Sequence, residues 1–161
     1  MRRQRFDLVA LVHEIFELLE QQAARRGTRL ELFPAEFSEA GLPVVADRNR
    51  IRQVLINLVD NAIKYGRDQG RVVVALMENG RAVRVAVRDD GAGIAPEHQA
   101  RIFERFYRID KSRSRESGGS GLGLAISKHI VEAHKSNIRV KSTVGEGTTL
   151  EFKLSKPKAG A

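Results

Sequence analysis

The sequence predicts an α/β two-layer sandwich, in which a mixed, largely antiparallel sheet carries helices packed on one face. Three observations support this prediction. Two long stretches repeat apolar residues at helical spacing, two β-rich hairpins are prominent, and strands and helices are interspersed without the strict alternation of a doubly wound fold. The 161 residues suffice for one core without disulfides or metals, so we expect a single domain, 1–161.

The composition excludes several classes of protein. The chain has no cysteine, so it forms neither a disulfide framework nor a thiolate zinc site. No apolar run approaches the ~20 residues of a membrane-spanning helix, and no signal-type segment follows the basic residues 1–6. The net charge of +8 suits a phosphorylated ligand, but no nucleic-acid-binding motif accompanies it. We therefore expect no nucleic-acid partner and no membrane contact by this chain.

The first helix is predicted from an apolar stripe at helical spacing within residues 8–19. Asp7 can cap its start, and Gly27 marks its end. Residues 28–33 alternate between apolar and polar and predict a strand, which a loop over 34–43 follows.

The second helix is predicted to begin after a short strand at 44–46. Asp47 is a suitable N-cap, since its side chain can accept hydrogen bonds from the first free amides of the helix. The helix is expected to end at Tyr65, because Gly66 follows.

Two hairpins are predicted in the second half of the chain. Residues 72–77 and 82–87 are β-rich and flank Asn79-Gly80, a strong signal for a tight hairpin turn. A closing hairpin is expected from 138–142 and 148–154. Both hairpins favour antiparallel pairing.

The segment between the hairpins is predicted to hold two further helices. Pro96 suits the first turn of a short helix that runs through Phe103. A polar stretch at 107–120 resembles a lid, and residues 122–133 show helical periodicity.

The second helix carries two stripes of different chemistry. An apolar stripe within 51–62 marks the face on the sheet, while Asn57, Asn61, Lys64 and Tyr65 fall on a neighbouring stripe. These residues could be the polar flank of an amphipathic helix. However, amide oxygens suit Mg²⁺, and a lysine one turn away suits phosphates, so the stripe also predicts a magnesium nucleotide site.

Two glycine-rich segments support the nucleotide interpretation. Asp89 ends a predicted strand, and Gly91 and Gly93 after it allow the backbone to approach a ligand. A plain Asp-Gly turn would be the alternative for this segment alone. Residues 119–123 contain three glycines before a predicted helix, whose free N–H groups can bind phosphate. Residues 119–123 have the spacing of neither a Rossmann motif nor a P-loop motif.

With these motifs in this order, the sequence resembles the catalytic, ATP-binding domain of sensor histidine kinases, within the superfamily that shares the Bergerat fold. The resemblance covers residues 6–152. The motifs similar to those of the family are the N box at 57–65, the first glycine box at 89–94, the F box at 102–108, the second glycine box at 119–126 and the third at 145–149.

The resemblance implies roles for individual residues. Asp89 would bond the adenine amino group, and Asn61, together with Asn57, would serve Mg²⁺. Lys64 would contact phosphate and Tyr65 would lie against the adenine. The residues implied in ATP binding are Asn57, Asn61, Lys64, Tyr65, Asp89, Gly91, Gly93, Ile94, Phe103, Phe106, Gly119, Ser120, Gly121, Leu122, Gly123, Leu124 and Thr148.

The resemblance also implies a mobile ATP lid at 107–120. Phe103 and Phe106 would anchor one end of it, and Arg105 or Arg108 would reach the terminal phosphate. The residues implied in phosphoryl transfer are Asn57, Lys64, Arg105 and Arg108.

The sequence departs from the family pattern in two places. Residues 134–137 lack the glycine pair that often follows this histidine, so the turn into the next strand is expected to differ. The phosphoacceptor motif is absent, because the segment that begins at His13 diverges from it. We therefore expect a fragment whose phosphoacceptor and sensor domains lie outside this chain.

The implied partners are the phosphoacceptor helical domain and, through it, a response-regulator receiver domain. We expect an isolated monomer in the cytoplasm, with an inner-membrane anchor of the full-length protein left open. Two alternatives remain. The chain could be an ATPase module of the same superfamily, or a non-catalytic ATP sensor. A neutral amide at Asn57, where the ATPases typically have a glutamate that polarises water, favours transfer to histidine over hydrolysis.

Overall fold

The computed structural model describes residues 1–37, 41–109 and 121–158. The strands in these ranges are β1 Gln4–Asp7, β2 Arg29–Phe33, β3 Pro43–Ala46, β4 Arg71–Asn79, β5 Ala82–Asp89, β6 Arg139–Thr143 and β7 Gly147–Ser155. The helices are α1 Leu8–Arg25, α2 Arg48–Tyr65, α3 Pro96–Gln99 and α4 Gly123–Ala133.

The described strands form one seven-stranded sheet in the order β1-β3-β7-β5-β4-β2, with β6 also paired to β7. Only β2 and β4 pair in parallel, and every other pair among the described residues is antiparallel. The prediction of a mixed, largely antiparallel sheet is confirmed. The β4–β5 hairpin closes through Gly80, whose φ of +63° suits the turn.

The core lies between the sheet and the helices. On β4, Val72, Val74 and Leu76 are each at most 1% exposed, whereas Met77 on the opposite face is 45% exposed. Helix α1 packs on α2 and β2, and α2 packs on β4, β5 and α4. The two-layer arrangement follows from this alternation, because only one face of the sheet is apolar enough to need cover.

The helix ends agree with the predicted caps. The Asp7 carboxylate accepts from the Val9 amide at 3.0 Å, and the Asp47 carboxylate accepts from the Arg50 amide at 3.3 Å. Gly27 adopts a φ of +65° after the end of α1.

One local prediction was wrong, and one strand was not predicted. The helix that begins at Pro96 ends at Gln99 rather than at Phe103. The amides of Arg101 and Ile102 both donate to the His98 carbonyl, at 2.9 and 3.1 Å, so the chain continues in turns, within which Ile102 is buried. Strand β1 was not predicted, because its residues are mostly exposed and show no apolar alternation.

Most of the predicted lid at 107–120 lies outside the described residues, and so do Gly119 and Ser120. The lid stays a prediction for this reason. None of the helices in the described ranges is long and apolar enough to cross a membrane.

Candidate functional site

The end of α2 meets the end of β5 at one edge of the core. Asp89, the last residue of β5, is 7% exposed and lies opposite Thr148 of β7, which is 8% exposed. A Cβ on Gly91 would come within 2.3 Å of the Tyr65 carbonyl oxygen. Glycine at this position therefore allows the loop after β5 to contact the C-terminus of α2.

The carboxyl group of Asp89 is buried but hydrogen-bonded. It accepts from the Gly91 amide at 2.9 Å and from the Thr148 amide. Burial raises the pKa of Asp89, and the two amide donors partly oppose this rise. A buried acceptor of this kind, beside glycine loops, is suited to an exocyclic amine of a ligand.

A hydroxyl network supports this part of the site from β6. The Ser142 hydroxyl contacts the Ile94 amide at 2.7 Å, the Gly147 carbonyl at 2.9 Å and the Thr148 hydroxyl at 2.8 Å. Gln99 donates to the Ile94 carbonyl at 2.8 Å and to the Ser142 carbonyl at 3.2 Å. The first and third glycine segments are therefore joined through Ser142.

A second part of the site lies where α2 meets α4. The Asn57 amide group donates to the Gly123 carbonyl at 3.2 Å and to the Ser127 hydroxyl at 3.3 Å, and Ser127 is fully buried. Leu122 precedes α4 without a side-chain cap. In any helix the amides of the first turn have no acceptor within the helix, and this property suits a helix N-terminus to an anion.

Between these two parts, α2 presents Asn61 and Lys64 on its half-buried stripe. Lys64 forms an ion pair with Asp60 at 3.1 Å, and Asp60 also accepts from Gln22 of α1 at 2.5 Å. In the described ranges no group of three or more His, Cys, Asp or Glu side chains could hold a metal ion. Separately, the amide oxygen of Asn61 is of the type that suits a hard cation shared with the oxygens of a ligand.

The C-terminus of α2 is held by Arg26, the residue after α1. Its guanidinium donates to the carbonyls of Ile63, Lys64 and Gly66, the last two at 2.5 and 3.0 Å. It also forms an ion pair with Asp68 at 2.7 Å. Carbonyls at a helix C-terminus lack intrahelical donors, so Arg26 satisfies the end of the helix that carries the polar stripe.

The predicted lid anchors lie at the end of the F box. Phe106 adopts a φ of +64°, its amide donates to the Gly121 carbonyl at 2.8 Å, and its side chain is 69% exposed. Phe103 is packed partly against the core, whereas Arg105 is exposed and Arg108 is half-buried. A Cβ on Gly121 would lie 2.9 Å from the Phe106 Cα, so a glycine is needed here.

The structure thus brings most predicted residues into two neighbouring groups. Tyr65, Asp89, Gly91 and Thr148 lie near the end of β5. The second group joins α2 to the start of α4. The predicted residues that lie in or next to these groups also include Asn57, Gly93, Ile94, Leu122, Gly123 and Leu124. Arg105 is not drawn into either group.

Sequence reasoning missed several residues that support the site. Ser142 could have been noticed, because strand alternation places it on the same face as the apolar Val140, where a polar side chain needs partners. Ser127 could have been noticed as well, because it lies on the buried face of α4 with Ile130 and Val131. Arg26 left no such signal, since its contacts join segments that are distant in the chain.

Comparisons with known proteins agree with this geometry. Residues 46–158 match the family described as histidine kinase-, DNA gyrase B- and HSP90-like ATPases. The sensor protein SrrB of Staphylococcus aureus is 45% identical over 112 residues, which are 70% of this chain and 19% of that protein. The chain therefore spans about a fifth of the length of this relative.

Solved structures of histidine kinases share the fold. The catalytic domain of histidine kinase ThkA has a TM-score of 0.80 at 31% identity, with 97% of each chain covered. Full-length ShkA in complex with AMPPNP has a TM-score of 0.81 at 28% identity, covering 99% of this chain and 32% of that one. The chain therefore belongs to the histidine kinase-, DNA gyrase B- and HSP90-like ATPase family, as an ATP-binding catalytic domain of the sensor histidine kinase type.

Proposed function

We propose that this chain binds Mg-ATP and transfers the γ-phosphoryl group to a histidine on a separate phosphoacceptor helical domain. The observation that carries the proposal is the position of α2. The C-terminal end of α2 lies beside the Asp89–Gly91 segment, and Asn57 of the same helix donates to the Gly123 carbonyl at the start of α4. A nucleotide lying along α2 would thus meet an acceptor for its base and amides for its phosphates.

The purine end would be bound by the group around β5. Asp89 would accept from the adenine amino group, and Thr148 would lie beside it. Tyr65 and Ile94 would contact the ring, while Gly91 and Gly93 keep the loop close. A Cβ on Gly93 would lie 2.3 Å from the Thr143 carbonyl, so a side chain there would displace the loop.

The phosphate end would be bound by the start of α4 and by α2. Because the Asn57 amide nitrogen is used by α4, its Oδ1 is the atom left for a metal-bound water or a cation, beside Asn61. Lys64 would exchange its ion pair with Asp60 for phosphate oxygens. Magnesium, when bound, would neutralise charge on the transferred group.

Transfer to histidine fits these residues better than hydrolysis. A water nucleophile needs a base, and Asn57 offers a neutral amide where a carboxylate would be required. A neutral imidazole needs no such base, because its nitrogen lone pair attacks phosphorus directly while the bond to the β–γ bridging oxygen breaks and ADP leaves. Arg105 and Arg108 are proposed to stabilise the charge that develops on the phosphoryl oxygens.

The partners follow from the same reaction. SrrB is named a sensor protein, and ThkA has been solved in complex with the response regulator TrrA. We therefore extend the proposal to a response-regulator receiver domain that takes the phosphoryl group from the phosphoacceptor domain. We propose a cytoplasmic location for this chain, because the proposed reaction consumes ATP. Residues 107–120 are proposed as the ATP lid, on the basis of sequence alone.

The proposal is tested by mixing the chain with labelled ATP, Mg²⁺ and a phosphoacceptor helical domain. We expect an acid-labile, base-stable phosphohistidine on that domain only. Asn61→Ala should abolish labelling by removing a metal ligand, whereas Asn49→Ala, an exposed asparagine on the same helix, should not.

Other outcomes separate the alternatives. Rapid ATP hydrolysis by the chain alone would favour the ATPase module. Tight ATP binding without labelling of a cognate acceptor domain would favour the non-catalytic sensor. Labelling of His13 would show that the acceptor lies in this chain after all.

A further inference from the structure

Ser142 occupies the centre of the hydroxyl network next to the purine end of the site. It lies on β6 opposite Thr148 of β7, and Thr148 in turn lies opposite Asp89 of β5. The three side chains therefore follow one another across three adjacent strands, on the face of the sheet that α2 covers. None of the roles described above requires a side chain at Ser142.

The hydrogen-bonding capacity of Ser142 is fully used. Its hydroxyl has one proton and two acceptor lone pairs. The Ile94 amide at 2.7 Å can only donate, and the Gly147 carbonyl at 2.9 Å can only accept. The single proton of Ser142 therefore goes to Gly147, and one lone pair accepts from Ile94.

This assignment determines the direction of the remaining bond. The Thr148 hydroxyl lies 2.8 Å from the Ser142 oxygen. Since the proton of Ser142 is already used, Thr148 must donate to Ser142. Its own single proton then points away from the site, and only its lone pairs remain for a ligand.

Thr148 and Asp89 therefore present acceptors side by side. The Asp89 carboxylate, held by the Gly91 and Thr148 amides, accepts from a ligand when it is ionised. An acceptor pair matches the amino group at purine position 6 and repels a carbonyl oxygen at that position. A buried polar group that meets the wrong partner loses a hydrogen bond and stays desolvated, so the discrimination is large.

We propose that Ser142 is a specificity-determining positioning residue, which acts through Thr148 to make the site select a 6-amino purine over a 6-oxo purine. The inference deepens the proposed nucleotide binding and rests on it. Ser142 does not contact the base in this scheme. It controls which way the Thr148 hydroxyl points.

The test compares ADP with inosine diphosphate, which carries an oxygen in place of the 6-amino group. The measured quantity is the ratio of the two dissociation constants, determined by calorimetry for each variant. Ser142→Ala releases the Thr148 proton to donate to a 6-oxo group, so the preference for ADP should fall by roughly 5- to 50-fold. Ser142→Thr keeps the hydroxyl and should retain most of the preference.

A double-mutant cycle separates this role from a general effect on folding. Thr148→Val removes the hydroxyl that Ser142 orients, and it should itself lower the preference for ADP. In the Thr148→Val background, Ser142→Ala should change the ratio by less than about 2-fold, because the two effects share one pathway. Thr143→Ala, which removes an exposed side chain from the same strand, serves as the matched control and should behave as wild type.

Three results with the variants would overturn the inference. The first is an unchanged ratio in Ser142→Ala while ADP still binds. The second is an equal effect of Ser142→Ala with and without Thr148→Val. If Ser142→Ala does not fold, Thr148→Val alone decides, and an unchanged ratio in it is the third. A wild-type chain that binds neither nucleotide would overturn the proposed function as well, which distinguishes that failure from failure of the Ser142 inference alone.

Discussion

Replacing Arg26 with alanine should destabilise the C-terminus of α2 and weaken nucleotide binding together. Arg26 follows α1 yet donates to three carbonyls at the end of α2, those of Ile63, Lys64 and Gly66. Arg26 thus links the end of α1 to the end of α2. The variant should therefore loosen the turn that carries Lys64 and Tyr65.

The expected magnitude follows from the individual contacts. The ion pair with Asp68 adds at most about 1 kcal/mol, because the Asp68 side chain is 80% exposed. The bonds to carbonyls are charge-assisted and partly shielded from water, but water replaces some of them in the variant, so their sum is not additive. We expect a loss of about 2–3 kcal/mol in the free energy of unfolding, or roughly 5–10 °C in Tm for a domain of this size.

Thermal unfolding of Arg26→Ala and titration with ADP would measure both effects. Asp68→Asn is the matched control, because it removes the exposed ion pair and leaves the carbonyl contacts; its Tm should stay within about 2 °C of wild type. The Tm of Arg26→Lys should lie between those of Arg26→Ala and Asp68→Asn, since an ammonium cannot reach all three carbonyls at once. A Tm of Arg26→Ala within about 1 °C of wild type would refute the assigned role.

Three further predictions concern the site and its supports. Burial raises the pKa of Asp89, so ADP affinity should fall as the pH is lowered toward that pKa. Calorimetry on Asp89→Asn should show no such pH dependence. The variant should also bind ADP about 10- to 150-fold more weakly, because a charged hydrogen bond is worth ~1.5–3 kcal/mol. Hydrogen bonds from the amides of Arg2 and Arg50 lower the pKa of Asp47 in the folded protein. The stability that the Asp47 carboxylate contributes is therefore fully present above its unfolded pKa of 3.8 and is lost as the pH falls through the lower folded pKa. In urea unfolding at pH 2–5, the free energy of unfolding of Asp47→Asn should fall less with decreasing pH than that of the wild type. Gly91→Ala would place a Cβ 2.3 Å from a backbone oxygen, so it should lower both the Tm and ADP binding; unchanged values would contradict the close approach.

Local signals in the sequence predicted most of the secondary structure. Asp47 and Gly66 set the ends of α2 through caps that involve nearby residues, and Asn79-Gly80 set the β4–β5 turn. The helix from Pro96 was predicted too long, because its periodicity could not show that Ile102 would be drawn into the core. Strand β1 depends on pairing with β3 rather than on its own pattern.

The site could be predicted only where its chemistry is local. The glycine segments and Asp89 lie in short motifs whose residue types are themselves informative. The contact between Ser142 and Thr148 needs the β6–β7 register, and the contact between Arg26 and α2 needs the packing of two helices. The direction in which a hydroxyl group donates its hydrogen bond follows from the donors and acceptors around it, and these can be counted only from coordinates.

The position of β7 determines when the sheet can form during synthesis of the chain. Strand β7 pairs with β3, β5 and β6, so the sheet cannot close until residues 147–155 have been synthesised. Until then the edge of β5 that pairs with β7 has unpaired backbone N–H and C=O groups. Pairing between segments so far apart in sequence also implies slow closure of the sheet. Chains that terminate before Gly147 should therefore depend on chaperones or be degraded, even though they retain both helices α1 and α2.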